Sequence, residues 1–295
     1  VRTDGKCFVS LCGFCLEWGE EMGIENDSYH ADTSRISNSM LSVLKKSPQE
    51  FLQTFVTETI VKEQSSSMAL GELVHSLALE PNTFSSRYAV VPKCDRRTTD
   101  GKIAWAEFQA EAAGKQLVDG DLYQQACECV ESLSNHDIGR YYINELPRDA
   151  VIEVPIMFDW LGVPCKCKPD MVLPESQIII DIKTTRDASP SAFCKSVGAF
   201  GYARQAAFYR LACREKYGDD FRFFFFVVNT AAPYESAVYE LDDQSLAIGF
   251  DEIEQLLVEY KSRLASDDWI ANWSSGVVNL SLPRWYDKHV FALEE

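Results

Sequence analysis

No apolar run in this chain approaches the ~18 residues that a membrane-crossing helix requires, so no segment is expected to span a bilayer. A Gly-x4-Gly-Lys-Ser/Thr phosphate loop is also missing, and any catalysis should run without ATP hydrolysis by this chain. There is no internal repeat and no low-complexity tract, which excludes solenoids and propellers. Basic residues are scarce: 28 Lys and Arg stand against 45 Asp and Glu, for a net charge of −17 and a pI near 4.7. That balance argues against a protein that coats nucleic acid through bulk charge, and leaves room for a local basic lining. Histidine is limited to His30, His75, His136 and His289.

With 295 residues, 46% of them hydrophobic, the chain can bury a full core as one large domain with appendages. Its ten cysteines are scattered and follow no secretory signal, which reads as reduced thiols in a cytoplasmic protein. The run Cys7 to Leu16 follows Arg2 and Lys6 as a signal peptide would. It lacks a small-residue cleavage site and continues into Glu17, Glu20 and Glu21, so no leader is expected. Cys7-x4-Cys12-x2-Cys15 has an iron–sulfur spacing without an evident fourth ligand.

Residues 1–27 read as an N-terminal appendage of uncertain order. Helical spacing follows from Ser37 through Met40, Leu41 and Leu44, then over Met68–Glu80, 100–114 and 119–134. Strands are expected over Val151–Phe158, Val163–Lys168 and Gln177–Lys183. A helix around 197–216, strands Phe221–Val228 and Ala237–Leu241, and a helix around 245–265 complete the pattern. Helices around a small mixed sheet make an α/β (α+β) domain.

The densest signal lies between Lys166 and Thr185. Lys166-Cys-Lys-Pro-Asp170 precedes the apolar run Ile178–Ile180, which leads into Asp181-Ile-Lys-Thr-Thr185. Side chains at i and i+2 of a strand share a face, so Asp181 and Lys183 project together while Ile180 and Ile182 enter the core. With Asp170 brought close by the intervening turn, the segment offers two hard oxygen ligands for a divalent cation and one fixed positive charge. Metal-assisted attack of water on a phosphodiester uses that set. Each fragment also has an ordinary reading, since Pro-Asp is a common turn and Asp-x-Lys a common surface ion pair. The spacing and the Ile-rich flanks favour chemistry, because charge inside a buried strand needs a reason.

His75 follows Gly71 by four residues on one helix, and helical side chains lean toward the N-terminal turn. Gly71 is therefore expected to leave open space under the imidazole for a metal or a DNA backbone; a half-buried structural histidine is the alternative. Glu72 is either a helper ligand or a solvated helix residue. Gln205 and Tyr209 share a helix face above the sheet, as site groups or as core packing with a polar tip. Lys93, Arg96, Arg97 and Lys102 fall in one polar segment, and Lys166 and Lys168 precede Asp170. These six basics are candidates for a DNA lining, with a solvated loop and strand as the other reading.

In chain order, Gly71-x3-His75, Lys168-Pro169-Asp170, Asp181-Ile182-Lys183 and Gln205-x3-Tyr209 resemble the RecB-type nucleases of the PD-(D/E)XK superfamily. Ala69–Pro81, Arg96-Arg97-Thr98 with Gly101-Lys102, Cys165–Asp170 and Ser281–Trp285 extend the resemblance to RecE-type exonucleases, over about residues 30–290. Where that family usually has Arg-Pro-Asp, this chain has Lys168-Pro169-Asp170. The resemblance implies a PD-(D/E)XK core over residues 28–295. It implies an ATP-independent, Mg²⁺-dependent exodeoxyribonuclease that degrades linear double-stranded DNA 5′ to 3′ and leaves 3′ single-stranded tails for recombination by strand annealing. It also implies a ring-like homo-oligomer acting on duplex ends, and a single-strand annealing partner protein.

By the same resemblance, His75, Asp170, Asp181 and the main-chain carbonyl of Ile182 are metal ligands. Lys183 orients or helps activate water and offsets phosphate charge. Glu153 matches an acidic position of the first strand, with an edge-strand surface residue as the alternative, and Gln205 and Tyr209 contact DNA or brace the site. Two carboxylates facing one phosphate suit a two-metal mechanism, with Mn²⁺ substituting for Mg²⁺ and Ca²⁺ binding unproductively. Iron–sulfur members of the superfamily draw three cluster cysteines from beyond the Gln-x3-Tyr helix, where this chain has only Cys213, so no cluster is expected. An endonuclease or flap nuclease on the same fold is the enzymatic alternative. A non-catalytic DNA-binding or assembly protein is disfavoured by the joint presence of Asp170, Asp181 and Lys183.

Overall fold

A computed structural model describes residues 26–60, 66–271, 273 and 276–282. The cysteine run Cys7 to Cys15, most of the expected appendage and Pro283–Trp285 lie outside the described residues. The helices are α1 (Asn26–Ala31), α2 (Asn38–Lys46), α3 (Pro48–Phe51), α4 (Ser66–Leu79), α5 (Pro81–Arg87), α6 (Thr99–Glu111), α7 (Gly120–Asn135), α8 (Arg140–Ile143), α9 (Pro190–Phe200), α10 (Tyr202–Tyr217) and α11 (Asp243–Ser266). The strands are β1 (Tyr88–Val90), β2 (Gln116–Val118), β3 (Val151–Ile152), β4 (Ile156–Trp160), β5 (Val163–Cys167), β6 (Met171–Leu173), β7 (Ile178–Thr185), β8 (Arg222–Asn229) and β9 (Ser236–Glu240).

The central sheet runs β3-β6-β7-β8-β9, with β7 and β8 parallel and the other neighbours antiparallel. Parallel neighbours need a crossover, and α9 with α10 supplies it. Strand period 2 then sends β7 into two cores. Ile179 joins Phe223, Phe225 and the α10 residues Ala206, Ala207 and Phe208 on one face. Ile180 and Ile182 join Leu73 and Val74 of α4 and Val130 of α7 on the other. The result is a helix–sheet–helix sandwich with Asp181 and Lys183 on the α10 face.

Local signals place the remaining pieces. Ser37 caps α2 by accepting from Met40 N–H at 3.4 Å, which fixes Met40, Leu41, Val43 and Leu44 inward. Strands β4 and β5 form a hairpin whose two turn residues, Leu161 and Gly162, both have positive φ, the geometry that suits the strand twist. Helix α6 stands off both cores, with Gly101 its one buried residue.

Three sequence expectations change. The strand expected over Val151–Phe158 is broken at Glu153, whose φ of 54° lies in the left-handed region. The chain leaves the main sheet there and enters the hairpin. The helix expected around 197–216 is two helices, because Gly201 at φ 69° ends α9 and starts α10. The turn expected between Asp170 and Asp181 contains a strand of its own, β6.

Helix α11 crosses α10 at Gly249, where an added Cβ would lie 2.4 Å from the Ala203 carbonyl oxygen. Backbone cannot yield as a flexible side chain does. Gly249→Ala is expected to lower unfolding free energy by about 1–3 kcal/mol, read as a lower urea midpoint at unchanged slope. A midpoint equal to wild type would show that the helices part without cost.

Candidate active site

Strand β7 carries the centre of the site. Asp181 is 1% exposed, and its Oδ2 lies 2.5 Å from Lys183 Nζ. That contact is a close ion pair, and the Lys183 ammonium is the partner of Oδ2 in the described structure. The other oxygen, Oδ1, accepts from Gln205 Nε2 of α10 at 2.9 Å. Lys183 also lies 4.8 Å from the centroid of the Tyr202 ring, a cation–π contact. The antiparallel register that pairs Met171 with Ile180 puts Asp170 next along, beside Asp181. Asp170 Oδ2 accepts from the Ile182 N–H at 2.7 Å, which fixes the carboxylate to the strand.

From the opposite layer, His75 of α4 reaches the same point. Its Nε2 donates to the Ile182 carbonyl at 2.9 Å, and its Nδ1 lies 3.3 Å from Asp170 Oδ2 and 4.0 Å from Glu153 Oε1. Glu153 is tied in twice. Its N–H donates to the Asp170 carbonyl at 3.1 Å, and its carboxylate pairs with Lys168. It sits at the break between β3 and β4 rather than in a strand, so its expected place on the first strand is corrected. The space expected beneath His75 is not open either: a Cβ on Gly71 would touch Thr184 Oγ1 of β7 at 3.5 Å. Gly71 lets α4 approach the strand closely. Glu72 accepts from Tyr88 Oη at 2.7 Å, linking α4 to β1.

Charge follows from this packing. Burial alone would push the His75 imidazole down, but Asp170, Glu153 and Asp181 outweigh it and raise it to about 10. Burial pushes the Asp170 carboxyl up, and His75, Lys183 and the Ile182 N–H reverse this, holding it below its ordinary value. For Asp181 burial prevails over Lys183 and, with Asp170 adding to it, raises the carboxyl to about 6. Lys183 is raised despite burial by Asp181 and Asp170, so it stays an ammonium.

The donor set fits a divalent cation. Ligand atoms of His75, Glu153 and Asp170 lie within 4.8 Å of one another, and the buried Asp181 carboxylate stands on the adjoining strand. Hard oxygens with one imidazole suit Mg²⁺ or Mn²⁺.

The expected DNA-contacting residues divide. Lys166 is corrected: it is 3% exposed, its Nζ donates to the carbonyls of Tyr29 and Asp32, and it lies 4.4 Å from the Tyr29 ring. It fastens α1 to β5. Lys168 is ion-paired with Glu153. Gln205 braces Asp181, and Tyr209 packs on Phe223 with its hydroxyl bonded to Gln205. Lys93, Arg96, Arg97 and Lys102 are exposed on the α6 loop and first turn. There Lys93 pairs with Asp121 at 2.6 Å, Arg97 makes two 2.9 Å bonds to Asp95, and Arg96 stacks 3.3 Å over the Trp105 ring.

Sequence reasoning missed two supporting residues, Tyr202 and Arg204. Arg204 is buried and bonds to Asn38, Ser42 and Glu252, locking α10 to α2 and α11. The signal for Tyr202 was its i, i+3 relation to Gln205 on one helix face.

His75 stands as an imidazolium and has to lose its proton before a nitrogen can ligate. Loss of the Nδ1 proton would leave that nitrogen facing the Asp170 and Glu153 carboxylates, acceptors that need a cation between them, while Nε2–H keeps its bond to the Ile182 carbonyl. Mn²⁺ affinity is therefore expected to rise with pH up to about 10, with about one proton released per site near neutrality. Calorimetric titration in two buffers of different ionisation heat measures the release. Affinity flat in pH would remove His75 from the ligand set.

Residues 37–272 match the family model described as a PDDEXK-like domain of unknown function, DUF3799. No curated protein matches the chain. Among solved structures, a candidate exonuclease from Eubacterium rectale superposes with a TM-score of 0.61 at 14% identity, covering 94% of this chain and 99% of that one. The alkaline exonuclease LHK-Exo from Laribacter hongkongensis aligns at 18% identity over 66% of this chain and 98% of its own, with a TM-score of 0.25. LHK-Exo in complex with dAMP gives 18% identity, 58% and 84% coverage and a TM-score of 0.27. The first superposition speaks for the fold, and the family match spans both halves of the site, from α2 through Gln205. The chain thus belongs to this PDDEXK-like family and carries the PD-(D/E)XK nuclease fold.

Proposed function

We propose that this chain is an ATP-independent, divalent-metal-dependent exodeoxyribonuclease that degrades linear double-stranded DNA from its ends, 5′ to 3′, leaving 3′ single-stranded tails for recombination by strand annealing. The observation that carries the reading is the Asp181–Lys183 pair on β7, set beside Asp170 ahead of β6 and His75 of α4. Polarity, a ring-like oligomer and an annealing partner rest on the RecE-type resemblance alone. His75, Asp170, Asp181, Glu153 and the Ile182 carbonyl would hold the ion, Mg²⁺ or Mn²⁺. When bound, the ion polarises the phosphate and lowers the pKa of a water ligand.

The side chains do the rest. Lys183, kept protonated by its two carboxylate neighbours, meets the negative charge that grows on the phosphate. Gln205 fixes the rotation of Asp181, so one oxygen always faces Lys183. Tyr202 covers the ammonium and limits its hydration. A chain of net charge −17 needs a confined basic surface to hold a polyanion, and Arg96, Arg97, Lys102 and Lys168 are the candidates that reach it.

Asp181→Asn and Lys183→Met are each expected to lower cleavage at least ~100-fold, the scale of one lost transition-state contact. Because a single change unpairs a buried charge, the double variant serves as the fold control by circular dichroism. A folded single variant with near wild-type activity would refute the site. With Mg²⁺ and no ATP, end-labelled linear duplex should be degraded and covalently closed circles spared, with activity falling as salt rises. Efficient cutting of closed circles would replace the exonuclease reading with an endonuclease.

A further inference from the structure

At the corner between α9 and α10, two aromatic rings extend from the active-site ammonium to solvent. Tyr202 is the inner ring. It packs on Phe193 and Phe225, with centroids 6.0 and 5.7 Å away, and faces Lys183 Nζ at 4.8 Å. Phe200 is the outer ring, 5.6 Å from Tyr202 at an interplanar angle of 36°, and it is 63% exposed. That exposure, at the last residue of α9, leaves its outer side open to solvent.

The corner is also fixed. Gly201 turns it at φ 69°, and a Cβ there would lie 2.9 Å from the guanidinium of buried Arg204. Only glycine fits both that φ and that contact. Arg204 is itself held by Asn38, Ser42 and Glu252. A single exposed phenylalanine needs no explanation in general. This one is held in place on a ring that touches the site's ammonium. A phosphodiester at Lys183 arrives with a nucleobase on each side, and every base has a π face that an aromatic ring can hold without reading its edges.

We propose that Phe200, seated on Tyr202, is a stacking shelf for a nucleobase flanking the scissile phosphate. The proposal rests on the nuclease reading and deepens it by naming how the strand is gripped. Lys183 meets the phosphate while the shelf takes the neighbouring base, so the strand is positioned at two points by contacts that tolerate any sequence.

The test is steady-state cleavage of linear duplex by the full chain and its Phe200→Ala and Phe200→Trp variants. Each is assayed on normal DNA and on DNA with one abasic residue placed on either side of the first scissile bond. Phe200→Ala should raise KM about tenfold with kcat changed less than about twofold, the scale of one lost base–aromatic stack, and Phe200→Trp should restore KM. On the abasic substrate that lacks the stacked base, wild type and Phe200→Ala should converge. Binding of DNA carrying 2-aminopurine at that position, followed by fluorescence in Ca²⁺, should show quenching by wild type and little by Phe200→Ala. An unchanged KM, an equal loss on both abasic substrates, or a loss that tracks a changed oligomeric state in sedimentation would overturn the shelf, the last in favour of a subunit contact. Absence of cleavage by wild type would instead sink the nuclease reading, and the shelf with it.

Discussion

A buried carboxylate and a half-buried ammonium two residues apart on the central strand are the constraint from which the rest of this structure follows. Taking either charge out of water costs several kcal/mol, and breaking such a pair on one side costs about 3–5 kcal/mol. The fold therefore surrounds Asp181 and Lys183 with partners from every layer. Gln205 comes from α10, Asp170 from the strand alongside, His75 from the far face through the Ile182 backbone, and Tyr202 closes the top. Stability and chemistry share these contacts. A purely structural strand would place Val or Ile at both positions and need none of them.

The second layer of support explains several features that look unrelated. Glu153 adopts a left-handed backbone at a break between two sheets, and its N–H and carboxylate both serve Asp170 and His75 from there. Strain of that kind costs of order 1–3 kcal/mol and persists where the surroundings impose it. Arg204, next to Gln205 in sequence, is buried and bonded through each of its three guanidinium nitrogens, so the helix carrying the amide is fixed relative to α2 and α11. Rigid placement of a few polar groups is what electrostatic stabilisation requires.

Much of this was legible in the sequence where physics is local. The apolar runs of β7 and β8 and the period-two placement of Asp181 and Lys183 depend on neighbours in the chain, as does the Ser37 cap. The parts that were not legible depend on distant groups. Strand β6 is three residues long and exists because β7 and β3 lie on either side of it. Lys166 looks like any basic residue ahead of Asp170 until the carbonyls of Tyr29 and Asp32 fold over it. The break at Glu153 has no glycine to announce it. Gly201 could have split the helix between Val197 and Lys216, since glycine in a helical run marks a weak point, but its left-handed turn is settled by Arg204 behind it.

The hydrogen bond from Gln205 to Asp181 has a consequence for ion choice. One oxygen of that carboxylate belongs to the amide and the other faces Lys183, while Asp170 gives an oxygen to the Ile182 N–H. Each bonded oxygen keeps a second lone pair for an ion, but the bonds fix how the carboxylates are turned, so a symmetric two-oxygen clasp would have to compete with them for orientation. Large cations that seek six to eight oxygens and accept two from one carboxylate lose most by this arrangement, whereas a small octahedral ion that keeps several of its own waters loses little. If the site holds a cation as proposed, the amide of a neighbouring helix, by fixing how Asp181 is turned, weighs against large ions.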